Sequence, residues 1–217
     1  MSDYIIEAIK QGIWETLIMT SLSAFFSYLI GMPLGVLLYA TSKGRLLENR
    51  IINAVIGTIV NIMRSLPFLI LLVLLIPFTR FITGSSIGTV ATIVPLTVGA
   101  TPIVARMVEA SLHEVQPGII EAASSMGASP LYTIIHFIIP EAMPSLLQGG
   151  AINVATVLGY SAMAGVIGGG GLGAIALQYG YYRYDKPVLW TTVTLLIIMV
   201  MLIQEFGIQL SKKHRKA

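Results

Sequence analysis

The sequence predicts an all-α integral membrane protein with five transmembrane helices. Composition is the first reason: 55% of residues are hydrophobic and 11% charged, against about 25% charged in a soluble domain, and mean hydropathy is +0.84. The second is segregation of charge, which leaves uncharged runs at residues 16–42, 81–105, 142–182 and 187–204. A helix crossing a hydrocarbon core of about 30 Å needs roughly 20 apolar residues, so each run is long enough or nearly so. The third is PFLILLVLLIPF at 67–78, apolar on every side where a soluble helix would repeat a polar face.

The amino-terminal MSDYIIEAIKQGIWETL has no cationic segment and no small-residue cleavage site, so no cleaved signal peptide is expected. Ile5, Ile9 and Ile13 recur at spacing four opposite Asp3, Glu7 and Lys10, which predicts a short helix lying at the interface before the first span. The spans are expected at about 16–40, 54–79, 81–105, 146–168 and 187–207, in a single transmembrane domain covering 1–217 with a loop at about 106–141. No linker, second domain, low-complexity tract or convincing internal repeat interrupts it.

Span one carries GMPLG at 31–35, a small-xxx-small pattern that favours tight helix packing over a substrate contact, and Pro33 also allows a kink there. Span two is broken only by Arg64. A charge at mid-membrane costs about 2.5–3.5 kcal/mol on insertion scales and turns toward protein or a water-filled path. Counted from Arg50, Arg64 stands about 21 Å along the helix; a start near Thr58 would leave it within snorkelling reach of the surface. Its candidate roles are the translocation path or gate, structural pairing, or interface anchoring. In span four Asn153, Thr156, Tyr160 and Ser161 recur at helical spacings, and the first three would share a face. That stripe can line a path or satisfy backbone and neighbouring helices. GGGGLG at 168–173 matches G-x-G-x-x-G formally, but it follows a membrane span rather than a strand. It reads as a loop, or as a place where helices approach closely or bend near an outer gate.

Orientation follows from Lys and Arg, which collect in short cytoplasmic loops. Lys43, Arg45, Arg50, Arg106, Lys212, Lys213, Arg215 and Lys216 share one side, and Lys10, Arg80, Arg183 and Lys186 the other. An outside N-terminus and five spans put the C-terminus and the larger group in the cytoplasm. The loop at 106–141, which holds Glu109, Glu114, Glu121 and Glu141, is then cytoplasmic. It reads as two short helices. Pro117 and Gly118 precede the first, at about 119–126, which Gly127 ends; Ser129 caps the second, Pro130 takes its first position, and Pro140 and Pro144 limit its far end. Ala122, Ala123, Ser124 and Ser125 leave one side of the first helix with little bulk, fit either for packing on its own bundle or for close approach by a cytoplasmic partner.

EAASSMGASPLYTIIHFIIP, at 121–140, resembles the cytoplasmic loop of bacterial ABC-importer permeases: Glu-Ala-Ala, three residues, Gly, nine residues, Ile-x-Leu-Pro. Glu121, Ala122, Ala123, Gly127 and Pro140 match, while Phe137 and Ile139 replace the Ile and Leu. WETLIMT, VNIMRSLPFLILL, IVPLTVGATPIVARMVE, VLGYSAMAGVIGGGGLG and QYGYYRY extend the likeness over most of the chain, toward the permease subunits of methionine importers. The resemblance implies the type I importer permease fold in a bacterial inner membrane, and a homodimer with two cytoplasmic ABC ATPase subunits that use ATP and Mg. It also implies an extracytoplasmic substrate-binding lipoprotein, and a coupling helix that docks through the matched residues into a groove of the ATPase. Methionine is implied by the resemblance alone, and another small amino acid or solute is the alternative.

Absences narrow the rest. No cysteine is present, which excludes disulfides, thiol catalysis and cysteine metal sites. No G-x-x-x-x-G-K-[ST] occurs, so ATP is handled elsewhere, and His113, His136 and His214 lack metal-ligand spacing. No cofactor, metal or catalytic residue is expected. The pI of 9.2 reflects basic loops in contact with a lipid membrane rather than a nucleic-acid surface. A stand-alone secondary transporter would carry ionisable residues in several spans, and an intramembrane enzyme would need a paired constellation; the spans offer only Arg64.

Overall fold

The computed structural model describes residues 3–215, and among them it is helical without strands. Lys216, and the side chain of Arg215, lie outside the described residues. In chain order the helices are α1 (Asp3–Thr41), α2 (Arg50–Ser65), α3 (Phe68–Leu74), α4 (Ile76–Thr83), α5 (Thr89–His113), α6 (Pro117–Ser125), α7 (Pro130–Thr133), α8 (Ile139–Glu141), α9 (Met143–Ala164), α10 (Gly171–Ile175) and α11 (Lys186–Arg215). A 3₁₀ turn at Gly165–Ile167 extends α9, and π turns occupy Ile134–Ile138 and Ala176–Tyr181. Four helices, α1, α5, extended α9 and α11, are long and apolar enough to cross a membrane, and α2 with α3 makes a fifth span if that pair, bent by 103°, is one.

The α1–α5 pair is the centre of the bundle. The two run parallel, and their backbones come close because Gly31 lies against Val104 and Gly35 against Val108. A Cβ on Gly31 would stand 2.7 Å from Val104 Cβ, and one on Gly35 would stand 2.6 Å from Val108 Cβ. Only glycine fits that approach. Pro33 sits inside α1 without interrupting it, so GMPLG is a packing motif here. Tyr39, Val104, Val108 and Leu112 then form the main apolar cluster with Ile134, Ile138 and Leu146. On the other side of α9, α11 packs with Gly207 directly against Ala151.

The structure corrects the expected interfacial helix and the bounds of four spans. α1 is one helix of 39 residues, about 58 Å long, so no separate interfacial helix precedes the span; Ile5, Ile9 and Ile13 pack on Leu172, Ile175 and Val188, not on headgroups. The second span, expected as one helix at 54–79, breaks at Leu66 and Pro67. Leu66 is extended at φ −76°, ψ 127°, the conformation a following proline enforces. The third span begins at Thr89 rather than 81, because residues 81–83 finish α4 and Gly84 closes it at φ +75°. That uncharged run concealed a turn. α9 and α11 start at Met143 and Lys186, against expected starts of 146 and 187.

Gly35→Ala is expected to lower the thermal unfolding midpoint of the detergent-purified protein, an overpacking cost of about 1–3 kcal/mol. Gly159→Ala, in α9 with nothing within 4 Å of a new Cβ, is expected to match wild type or gain up to about 1 kcal/mol. Equal midpoints for Gly35→Ala and wild type would show that the close approach is not a constraint.

Candidate functional site

The loop after α5 folds as a helical hairpin. Pro117 is the first residue of α6, not a residue ahead of it, and suits that position because no N–H is needed there. The helix closes through two backbone bonds, Ala128 N–H to Ala123 O at 3.1 Å and Gly127 N–H to Ser124 O at 3.0 Å. Gly127 adopts φ +79°, the left-handed conformation this closure requires. Ser129 Oγ then accepts from Tyr132 N–H at 3.4 Å to start α7. The expected stop at Pro140 is absent: the chain runs through a π turn and α8, and Ala142 leads into α9. A π turn absorbs what Pro140 imposes, a missing donor and a ring that crowds the carbonyl four residues back. His136 Nδ1–H helps by donating to Tyr132 O at 3.2 Å.

The hairpin has two faces. Ile119 and Ile120 pack on the Tyr39, Val108 and Leu112 cluster, and Ala123 is buried beside them. Glu121, Ala122, Ser124, Ser125, Gly127 and Pro140 are exposed. So are larger apolar side chains that the sequence reading passed over: Met126 at 76%, Leu131 at 64%, Tyr132 and Ile135. Leu131 and Ile135 recur at spacing four, which was the available signal. The α1–α2 connection flanks this surface, with Arg45 and Leu46 facing Pro117, Ile120 and Glu121 around a cavity of about 280 Å³. Arg45 donates to His113 Nδ1 at 3.0 Å and lies over the Tyr39 ring. Arg45 is thereby fixed against the end of α5.

Arg106 does more than mark a cytoplasmic end. Its guanidinium donates to Gly57 O at 3.0 Å and to Asn61 Oδ1 at 2.9 Å, and pairs with Glu109 at 2.6 Å. It therefore ties α5 to α2. The tie to α2 was not legible at this position, since those two partners come from 45 and 49 residues away.

The candidate path residues differ in how far neighbouring helices cover them. Asn153 is wholly buried against α1, donating to Ser27 Oγ at 3.3 Å, and Ser161 is buried with its hydroxyl returned to Leu158 O. Thr156 is half-buried, and Tyr160 stacks on Phe68 with centroids 4.1 Å apart. Helical spacing put Asn153 with Thr156 and Tyr160, but α1 covers the Asn153 edge. Arg64 is exposed beside the α2–α3 break and makes no hydrogen bond or ion pair among the described residues. α2 begins at Arg50, so Arg64 lies about 21 Å along it.

At the opposite end of the bundle the glycine run folds over the top of α1. Gly171 N–H donates to Glu15 Oε2 at 2.7 Å, and Leu172 N–H to Thr16 Oγ1 at 2.9 Å. Gly165 and Gly173 allow α9 and α10 to touch backbone to backbone. Beyond α10, Tyr179 hydrogen-bonds Tyr4 at 3.2 Å; that bond, and then burial, raise the Tyr179 phenol above its ordinary range. Among the alternatives for this run, close helix approach is what the geometry displays.

Residues 31–206 match the binding-protein-dependent transport system inner membrane component family. The chain belongs to that family. It is 48% identical, over 93% of its length and 91% of the relative's, to the probable D-methionine transport system permease protein MetI of Vibrio cholerae. It is 50% identical to the D-methionine transport system permease protein MetI of Escherichia coli over 76% of each chain. Among solved structures it superposes on a chain of the MetNI methionine ABC transporter in inward-facing conformations with a TM-score of 0.97 and 48% identity, covering 99% of both chains. An amino acid ABC transporter at 23% identity and TM-score 0.78 shares the fold. The chain is thus the permease component of an ABC importer and not an enzyme.

Arg106→Ala is expected to destabilise this permease by about 2–3 kcal/mol, because it removes charged hydrogen bonds and leaves Glu109 unpaired. Arg106→Lys retains the charge but not the fork that reaches both α2 acceptors, so an intermediate loss is expected. Thermal unfolding in detergent measures both.

Proposed function

We propose that the permease imports methionine across the bacterial inner membrane as one half of a homodimer. Two cytoplasmic ABC ATPases bind and hydrolyse ATP with Mg, and an extracytoplasmic substrate-binding lipoprotein delivers the amino acid. One observation carries the mechanism: the hairpin holds an apolar face inward and presents a second, partly apolar face at the end of the bundle where Arg45, Arg50, Lys212 and Lys213 collect. Uncovered Met126 and Leu131 beside the small Ala122 suit a partner that fits closely, since contiguous exposed apolar surface marks an interaction site. Glu121, Ala122, Ala123, Gly127 and Pro140 form or shape the docking element, with Ala123 holding it to the bundle.

ATP-driven closure of the ATPases brings two hairpins together, and rigid contacts pass the displacement to α5, α1 and α9. The same orientation puts the N-terminus and the glycine-rich cap outside and the C-terminus in the cytoplasm. Of the residues assigned to the path, Arg64, Thr156 and Tyr160 keep that assignment because each leaves part of its side chain uncovered, while Asn153 and Ser161 become structural. Methionine rests on the relatives' substrate; no methionine contact follows from this chain's residues.

Glu121→Arg is expected to abolish co-purification of the ATPase from detergent while the permease still accumulates in the membrane. In a strain lacking its own methionine importer, wild type supplied with its ATPase and binding protein should restore methionine uptake, and Glu121→Arg should not. Intact co-purification and uptake in the variant would overturn the docking assignment. Restoration of another solute's uptake, without methionine, would overturn the substrate.

A further inference from the structure

Two cavities meet where α9 begins and α11 ends. One, of about 550 Å³, is apolar, lined among others by Leu147, Val154, Leu202 and Phe206. The other, of about 470 Å³, is lined by Glu114, Glu141, Gln148 and Ser145. Leu210 lines the first and Ser211 the second, and Ser211 Oγ donates to Pro144 O at 2.8 Å across the seam. The cleft is therefore amphipathic along its length, apolar beside the spans and acidic at their end. Glu114 and Glu141 are exposed, and neither carboxylate has an ion pair or hydrogen bond among the described residues. Lys213 is exposed on α11 seven residues after Phe206, so it continues the face that lines the apolar cavity.

We infer that this cleft binds a membrane phospholipid with an amine headgroup. An acyl chain lies along α9 and α11, the ammonium sits between Glu114 and Glu141, and the phosphate is within reach of Lys213. Charge complementarity selects this occupant. A lipid with an anionic, amine-free headgroup would meet two carboxylates, and an apolar helix from a second copy would leave both unpaired at its end. A zwitterion supplies a cation for the two carboxylates and a phosphate for Lys213. This binding site is independent of the substrate assignment.

The test is native mass spectrometry of the permease–ATPase complex after equilibration in detergent with equal amounts of phosphatidylethanolamine and phosphatidylglycerol. Wild type is expected to retain phosphatidylethanolamine about fivefold or more over phosphatidylglycerol. Val154→Trp, which fills the apolar cavity, should reduce retention of both about tenfold. The surface double variant Glu114→Lys with Glu141→Lys should keep total retention and reverse the preference. Equal retention of the two lipids by wild type, or an unreversed preference in the double variant, overturns the proposal. Because the chain has no cysteine, Phe206→Cys gives a unique thiol. A disulfide-linked pair of permeases through it would show that a second copy covers the cleft, and would also overturn the proposal.

Discussion

The backbone contact between α1 and α5 is the constraint on which the rest of the permease depends. Lipid tails are as apolar as leucine, so burial of apolar surface does not drive helices together in a bilayer, and close packing must do so. Gly31 and Gly35 supply that closeness against Val104 and Val108. Because the pair is parallel, its two ends serve different jobs. At one end, Glu15 and Thr16 of α1 hold the glycine-rich cap by its backbone N–H groups. At the other, Tyr39 of α1 and Val108 and Leu112 of α5 form the apolar bed on which Ile119 and Ile120 of the hairpin rest. One column thus joins the cap to the hairpin.

Many polar side chains inside the bundle are satisfied internally, since hydrocarbon offers them no water, although Thr20 Oγ1, Tyr39 Oη, Thr79 Oγ1, Arg106 Nε and Asn153 Oδ1 are buried without a partner. Thr16, Thr41, Thr101 and Thr192 each return a hydroxyl to the carbonyl four residues back. Asn153 uses Ser27. α2 is held less by apolar packing than by two polar ties: Arg106 to Gly57 O and Asn61, and Asn53 to Leu38 O at 2.7 Å. A helix of sixteen residues that buries only Gly57 and Val60 is therefore fixed largely by directional bonds. Such bonds set its position along α5 as well as its distance.

Membrane character, the number of candidate spans and the caps of the hairpin were legible because each rests on local chemistry. Charge segregation, Gly127 as a left-handed closure and Ser129 with Pro130 are read within a few residues. What escaped depends on a second segment or on competition between signals. The Ile5, Ile9 and Ile13 stripe has the spacing of an interfacial helix, and only α10 and α11 reveal that protein covers it. Arg106 and Asn153 took their meaning from α2 and α1. Pro140 was read as a stop because a proline removes one α-helical bond, yet a π turn removes the conflict and lets the helical path continue. The Met126, Leu131 and Ile135 surface gave only a spacing-four signal, which the buried face of a short helix gives equally.

The passage through Pro140 bears on how motion would travel. Had the hairpin ended there, its displacement would reach the spans only through side-chain contacts with α1 and α5. With the π turn, a helical path also joins the hairpin to α9, so three spans would receive the same displacement. Between α2, tied to α5 through Arg106, and α3 the chain bends by 103°, and α3 meets α9 through the flat stack of Phe68 on Tyr160. A stack slides at lower cost than interdigitated glycine contacts separate, because it holds no backbone against backbone. Relative movement is therefore expected to concentrate at the α2–α3 break. Arg64 stands beside that break, in a position to feel the change in its surroundings while the α1–α5 column stays intact.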